Sequence, residues 1–277
     1  MTKFDKRRVA GMNLGYNFFS FEYFLDSMVR VGAESIELWG GFPHIYFDST
    51  IHPAIGEIKK AVDDRGLHIN CYTPEQLLYT YNIAAPEPEV RAMSVEFFRR
   101  NIYAACQLGT KTVLMTSGHG YADKPLEEAW KWSRESLHEL GEFAGKLGMT
   151  IALENLQPTE SNLVYTLPAL KRMLDELGSP NIKAMVDVVP MHLAGETMQQ
   201  YLDTFGDDLI HVHVVDGEPT GHMAWGDGQL PLDEDVKCLC DNDYRHTITF
   251  EIANSMYLYD PESAFQKSFE RVKPYLK

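Results

Sequence analysis

Four residues of this chain combine a chemically capable side chain with the end of a short apolar run. They are Glu154 in Ile151-Ala152-Leu153-Glu154, Asp187 in Ala184-Met185-Val186-Asp187, His213 in Ile210-His211-Val212-His213, and Glu251 in Ile248-Thr249-Phe250-Glu251. Side chains alternate between the two faces of a strand, so Ile151 and Leu153 mark one face and Glu154 the other; Ile248 and Phe250 oppose Glu251 in the same way. Three carboxylates and an imidazole brought together repel one another and gain affinity for protons unless a cation joins them. A set of three oxygens and one nitrogen suits a single divalent ion, manganese first, with magnesium, cobalt or zinc as alternatives to be tested. Each residue alone keeps a plainer role open: a strand-ending carboxylate can cap the next helix, and a core histidine can be a satisfied neutral group. His211 shares the face of His213 one layer deeper and reads as a partner that fixes a ligand's orientation.

Such residues need a scaffold that brings strand ends to one place. Apolar runs at 9–13, 35–39, 68–72, 112–116, 150–154, 182–187, 210–215 and 247–252 alternate with helical patterns near 21–31, 53–65, 88–107, 126–147, 167–177, 196–205, 231–240 and 261–273. Strict alternation of this kind predicts an α/β fold, a (β/α)8 TIM barrel over residues 1–277 as one domain. A doubly wound sheet is the alternative, but the glycine fingerprint after its first strand is missing. In a barrel the active site lies at the C-terminal ends of the strands, where all four residues fall. The connection at 72–88, which carries Tyr79, Tyr81, Pro86 and Pro88, is long for a compact domain and is expected to face substrate.

Composition narrows the partners. A net charge of −15 argues against nucleic acid, and no run reaches the roughly 18 apolar residues of a membrane span. Cys71, Cys106, Cys238 and Cys240 show no ligand spacing and read as thiols in a reducing compartment; with no signal peptide at Met1-Thr2-Lys3-Phe4-Asp5, a cytoplasmic protein is expected.

The full pattern resembles the xylose-isomerase-like barrels, a superfamily of sugar isomerases, ketose 3-epimerases and endonuclease IV, along essentially the whole chain. Beyond the quartet, the resemblance rests on Ile36-Glu37-Leu38-Trp39-Gly40-Gly41 with Pro43-His44, on Tyr72-Thr73-Pro74-Glu75, and on Glu160-Ser161-Asn162. It also rests on His211-Val212-His213-Val214-Val215-Asp216 followed by His222 and Gly226-Asp227-Gly228. The resemblance implies an isomerase that binds one divalent metal ion through Glu154, Asp187, His213 and Glu251 and epimerises carbon 3 of a ketose derivative. There the ion acts as a Lewis acid that stabilises an enediolate, while Glu154 and Glu251 exchange the proton as base and acid. Glu160 matches a substrate-contacting position of the family.

Two departures bear on the substrate. Epimerases of free hexuloses carry a histidine three residues after the metal aspartate and an arginine six after the metal histidine; this chain has Pro190 and Pro219. Residues 216–230 contain no Lys or Arg, which disfavours a phosphate there. The implied substrate is an Amadori-type sugar, most specifically fructoselysine converted to psicoselysine. The alternatives are a free-ketose 3-epimerase of the tagatose or psicose type and another sugar isomerase. His222 and His192 are expected to bond substrate hydroxyls in place of the missing groups, with Trp39, His44 and His119 as further contacts near the mouth; Trp39 could equally be a barrel plug. Glu37 points inward but deep and reads as a structural hydrogen-bonding residue. The family resemblance also implies a homo-oligomer, a dimer or a tetramer. A DNA-repair enzyme would need further histidine and acid ligands and a basic groove, which the −15 charge does not favour. A non-catalytic sugar sensor that keeps the metal site is a third class.

Overall fold

Buried on both faces, the short runs of branched and small residues have no use for water and pair edge to edge. The computed structural model describes residues 2–48, 50–77 and 80–277. Its strands are β1 (Val9–Met12), β2 (Ser35–Gly40), β3 (His68–Pro74), β4 (Thr112–Met115), β5 (Thr150–Glu154), β6 (Ile182–Asp187), β7 (Leu209–His213) and β8 (Thr247–Phe250). All are parallel and adjacent in chain order, and β8 returns to β1, so the barrel is closed and the doubly wound alternative falls away.

Around it run α1 (Phe21–Arg30), α2 (Ile55–Asp63), α3 (Pro88–Leu108), α4 (Leu126–Lys146), α5 (Leu167–Leu177), α6 (Val188–Leu193), α7 (Met198–Phe205), α8 (Leu232–Asp241) and α9 (Pro261–Val272). Their ends follow local chemistry. Thr166 caps α5 by accepting from Ala169 N, and Gly178 closes it at φ 56°, a left-handed conformation that a side chain would strain. Helix α6 is absent from the sequence reading. Its six residues are too few to show a period, and it exists because Asp187 caps it, accepting from Val189 N, with Pro190 tolerated in the first turn. The next helix starts at Met198 rather than 196, set by a capping box between Thr197 and Gln200. Strand β7 ends at His213 and β8 at Phe250, two residues short of expectation in each case, so Glu251 stands just beyond its strand.

Two environments divide the barrel interior. Cys71, Leu114, Ala152 and Met185, from β3 to β6, make an apolar floor. Glu37, His211 and Thr247, from β2, β7 and β8, make a polar one. The register places Met185 beside His211 and Asp187 beside His213, so the two layers of the interior are ordered across β6 and β7.

In the connection after β3, Tyr79 lies outside the described residues. Tyr81 stacks on Phe97 with ring centroids 3.7 Å apart, and Asn82 clamps His119, donating to its carbonyl at 2.9 Å and accepting from its N–H at 3.2 Å. No helix among the described residues is long and apolar enough to cross a membrane.

Candidate metal centre and substrate cavity

Each of the four strands from β5 to β8 delivers one ligand-type side chain to the same end, and ligand atoms of Glu154, Asp187, His213 and Glu251 all lie within 4.8 Å of one another. Glu154 is buried at the end of β5 beside Asn155, whose Oδ1 accepts from Asp187 N at 3.1 Å. Asp187 fulfils both roles that its position allows: Oδ1 caps α6, accepting from Val189 N at 2.7 Å, while Oδ2 faces the cluster. His213 is fully buried, with Nδ1 3.0 Å from Glu251 Oε2 and 3.6 Å from Glu154 Oε1.

The other nitrogen of His213 explains the polar half of the barrel. Nε2 lies 3.2 Å from both oxygens of Glu37, which fixes the tautomer with the proton on Nε2 and turns the Nδ1 lone pair to the cluster. Glu37 Oε2 also accepts from His211 Nε2 at 2.8 Å, His211 Nδ1 meets the Thr247 hydroxyl at 2.6 Å, and Thr73 donates to Glu37 Oε1. His211 therefore supports the ligand at one remove, and the direct partner is Glu37, which the sequence reading marked only as structural. Glu37, Cys71 and His211 also lie close enough to form a second ligand group. Both His211 nitrogens and both Glu37 oxygens are engaged in this network, which accounts for the group without a second ion.

Charge balance is what the quartet lacks on its own. Burial pushes the Glu154 carboxyl well above its ordinary range; the nearby His213 lowers it, and the negative charges of Glu251 and Asp187 push it up again. Burial lowers the His213 imidazole, but Glu251 and Glu37 outweigh this and hold it well above its ordinary value. His222 Nε2 donates to Asp187 Oδ2 at 3.1 Å and lies 3.7 Å from Glu251; despite burial, these carboxylates push it up to about 9. Asn155 Nδ2, next to Glu154, is buried without a hydrogen-bond partner. A hard divalent cation fits these residues, since it replaces the protons that the cluster would otherwise hold.

A pH dependence follows. Raised folded pKa values at Glu154 and His213 stabilise the metal-free fold below their unfolded values, and that contribution is lost as pH rises through the folded ones. A cation removes the need for those protons. The increase in Tm on adding manganese should therefore grow from about pH 6 to about pH 8, read by thermal denaturation at each pH. An increase that shrinks over this range would contradict the assignment.

Above the quartet lies a cavity of about 720 Å³ walled by residues after β1 to β5 and by His222 and Glu251. It receives several of the expected contacts. Trp39 forms part of the wall and donates from Nε1 to Glu75 Oε2 at 3.0 Å, so it is more than a plug. His119 is exposed on the lip between Gly118 and Gly120; a Cβ at Gly118 would come within 2.4 Å of Asn82 Oδ1, and φ there is 70°. Glu160 lines the same side, accepting from Gln157 N at 3.0 Å; burial, and then the charges of Asp187 and Glu251, raise its carboxyl.

Two expected contacts go elsewhere. His44 accepts from Asn13 Nδ2 at 3.1 Å and donates to the Phe19 carbonyl at 2.8 Å, tying the loop after β2 to the one after β1. His192, carried on α6, lies 2.7 Å from Asp235 Oδ2 and joins α6 to α8 rather than reaching the cavity. One wall residue was quoted in a motif without a role: Glu75, which follows β3 directly and is 5% exposed.

The chain matches the family model described as xylose isomerase-like TIM barrel over residues 25–275. It is 30% identical to fructoselysine 3-epimerase of Shigella flexneri over 249 residues, 89% of this chain and 90% of that one. It is 23% identical to D-psicose 3-epimerase of Agrobacterium fabrum, over 82% of this chain and 78% of that one. The solved structure of an L-ribulose 3-epimerase superposes with a TM-score of 0.82 at 20% identity, covering 100% of this chain and 95% of that one. These relatives put the chain among isomerase-class carbohydrate enzymes. From the quartet at the ends of β5 to β8 to the match along nearly its whole length, the chain belongs to the xylose isomerase-like TIM barrel family.

Proposed function

We propose that this chain is a metal-dependent C3 epimerase of a ketose derivative, most specifically of fructoselysine, giving psicoselysine. The observation that carries the reading is the pair Glu154 and Glu251. Both line the cavity, they stand three strand positions apart around the ring, and His213 Nδ1 lies between them at 3.6 and 3.0 Å. In this reading the substrate lies above His213 with C3 between the two carboxylates, one toward each face. One removes the C3 proton as general base and the other returns a proton to the opposite face, which inverts the centre. A divalent ion held by Glu154, Asp187, His213 and Glu251 supplies charge stabilisation at the oxygens flanking the deprotonated carbon. His222, bonded to Asp187 and close to Glu251, is placed to donate to a substrate oxygen.

Charge supports an amino sugar. Four carboxylates (Glu75, Glu154, Glu160 and Glu251) line the cavity, and among the described residues no Lys or Arg does. A phosphorylated sugar end finds no counter-ion there, whereas the secondary ammonium of an amino sugar does. Glu160, within electrostatic reach of Asp187 and Glu251, suits the ammonium that a fructosamine carries on carbon 1, next to the reacting carbons. Pro190 and Pro219, where epimerases of free hexuloses carry His and Arg, fit a substrate without a free C1 hydroxyl to be read.

The test is proton exchange in deuterated buffer with manganese-loaded protein. Deuterium is expected at C3 of fructoselysine, read by NMR. Exchange at C1 or C2 instead makes the chain an isomerase, exchange only with tagatose or psicose makes it a free-ketose epimerase, and no bound divalent ion on metal analysis removes the mechanism.

A further inference from the structure

We propose that Asn254 is a positioning residue for the epimerase reaction: its carboxamide holds the Gly221–His222 peptide so that the His222 imidazole is aimed at the metal quartet. The inference rests on the epimerase reading above and adds the means by which His222 is held there. Neither His222 nor Glu251 lies in a strand, because β7 ends at His213 and β8 at Phe250. Strand pairing therefore does not set their relation. His222 nevertheless reaches the quartet, with Nε2 3.1 Å from Asp187 Oδ2 and 3.7 Å from Glu251 Oε2. It does so from a left-handed backbone, φ 45°, directly after Gly221 at φ 124°. A residue with a Cβ holds that conformation at a cost, so its surroundings must impose it.

The loop after β8 supplies the restraint. Asn254 Nδ2 donates to the Gly221 carbonyl at 2.7 Å, and Ala253 N donates to the His222 carbonyl at 3.0 Å. Peptides are planar, so the first bond fixes the plane before His222, and hence φ, while the second fixes the plane after it, and hence ψ. Gly221 offers the first peptide little resistance to turning over, since glycine accepts either sign of φ. The Asn254 bond is what opposes that turn. On its other side His222 is anchored already. Met223 pairs with Asp216 through two backbone bonds, at 2.7 and 3.0 Å, and Ala224 N donates to the Tyr257 hydroxyl at 3.0 Å. The other end of the Asn254 carboxamide has a separate duty: Oδ1 accepts from Met256 N at 3.0 Å and caps the short turn Ser255–Tyr257. The oxygen thus shapes its own loop, and the nitrogen holds the neighbouring one.

Two variants separate these duties. N254S keeps an oxygen for the cap and loses the donor to Gly221. N254D keeps the cap but turns a carboxylate oxygen toward the Gly221 carbonyl, so its effect should be larger. In manganese-loaded N254S, kcat for C3 exchange on fructoselysine should fall about 10- to 100-fold, the cost of a misplaced group, with manganese affinity and Tm close to those of the wild type. H222N removes the imidazole while tolerating the left-handed backbone; it should lose at least as much, and N254S should cost little further in that background. Equal losses from N254S with and without His222 would overturn the proposal. So would losses matched by falls in Tm and manganese affinity, which a merely structural role would give. A crystal structure of N254S reads the clamp without turnover: the 221–222 peptide should be turned over, with His222 at negative φ and its imidazole away from Asp187. His222 left in place there would remove this inference while wild-type exchange stands. A wild type that exchanges C3 of no ketose would remove the epimerase reading, and with it the reaction that Asn254 serves.

Discussion

Replacing Glu251 by Gln is expected to reduce C3 exchange by about 10²- to 10⁴-fold, the range that a positioned acid–base group contributes, with E154Q alike in kind. Gln keeps an oxygen at the position and removes the charge and the exchangeable proton. Each variant also takes one negative charge from the metal site, so manganese affinity must be measured beside turnover, by calorimetry on the same preparation. At saturating manganese the loss should remain, since it belongs to proton transfer. The two variants can be told apart by running the reaction from either epimer: if each carboxylate serves one face, removal of one group should bias exchange against one direction. A protein that binds the sugar, tolerates E251Q and shows no turnover to lose would be a sensor and not an enzyme.

Glu37 is the second position where a large effect is expected, although it lies below the cavity. Its carboxylate is fully buried between two imidazoles, which hold it well below the usual carboxylate range against the opposing cost of burial. Breaking a buried pair of this kind costs about 3–5 kcal/mol, because the partners left behind stay buried. E37Q removes the charge that fixes the Nε2–H tautomer of His213 while keeping nearly the same volume. It should lower thermal stability and weaken manganese binding by about 10- to 100-fold, as outer partners of metal-bound histidines do. H211Q, which acts through Glu37, should weaken the metal less. Thermal melts and metal titrations of both variants decide this; unchanged manganese affinity in E37Q would remove Glu37 from the site.

The two histidines of β7 show how far a strand pattern reaches. Alternation puts His211 and His213 on one face and says that both need partners, and both have them. It does not name those partners, because Glu37 comes from β2, 174 and 176 residues away in the chain. Only closure of the barrel brings β2 within reach of β7 across the interior. The residues that end in the wrong place for substrate, His44 and His192, sit in a loop and on a six-residue helix, where no period marks the direction of a side chain.

Residue order alone determined the barrel, the approximate strand ends and the gathering of Glu154, Asp187, His213 and Glu251 at one end of it, since each of these follows from a period of two, a helix between strands and the rule that barrels expose strand ends on one face. Tertiary structure decided which polar side chains meet. It turned one Asp187 oxygen to a helix cap and the other to the cluster, set Glu37 beneath His213, and sent His192 to Asp235 instead of to the cavity. The physical reason is that local sequence fixes the face on which a side chain lies. What it touches there depends on the closure and register of strands that are distant in the chain.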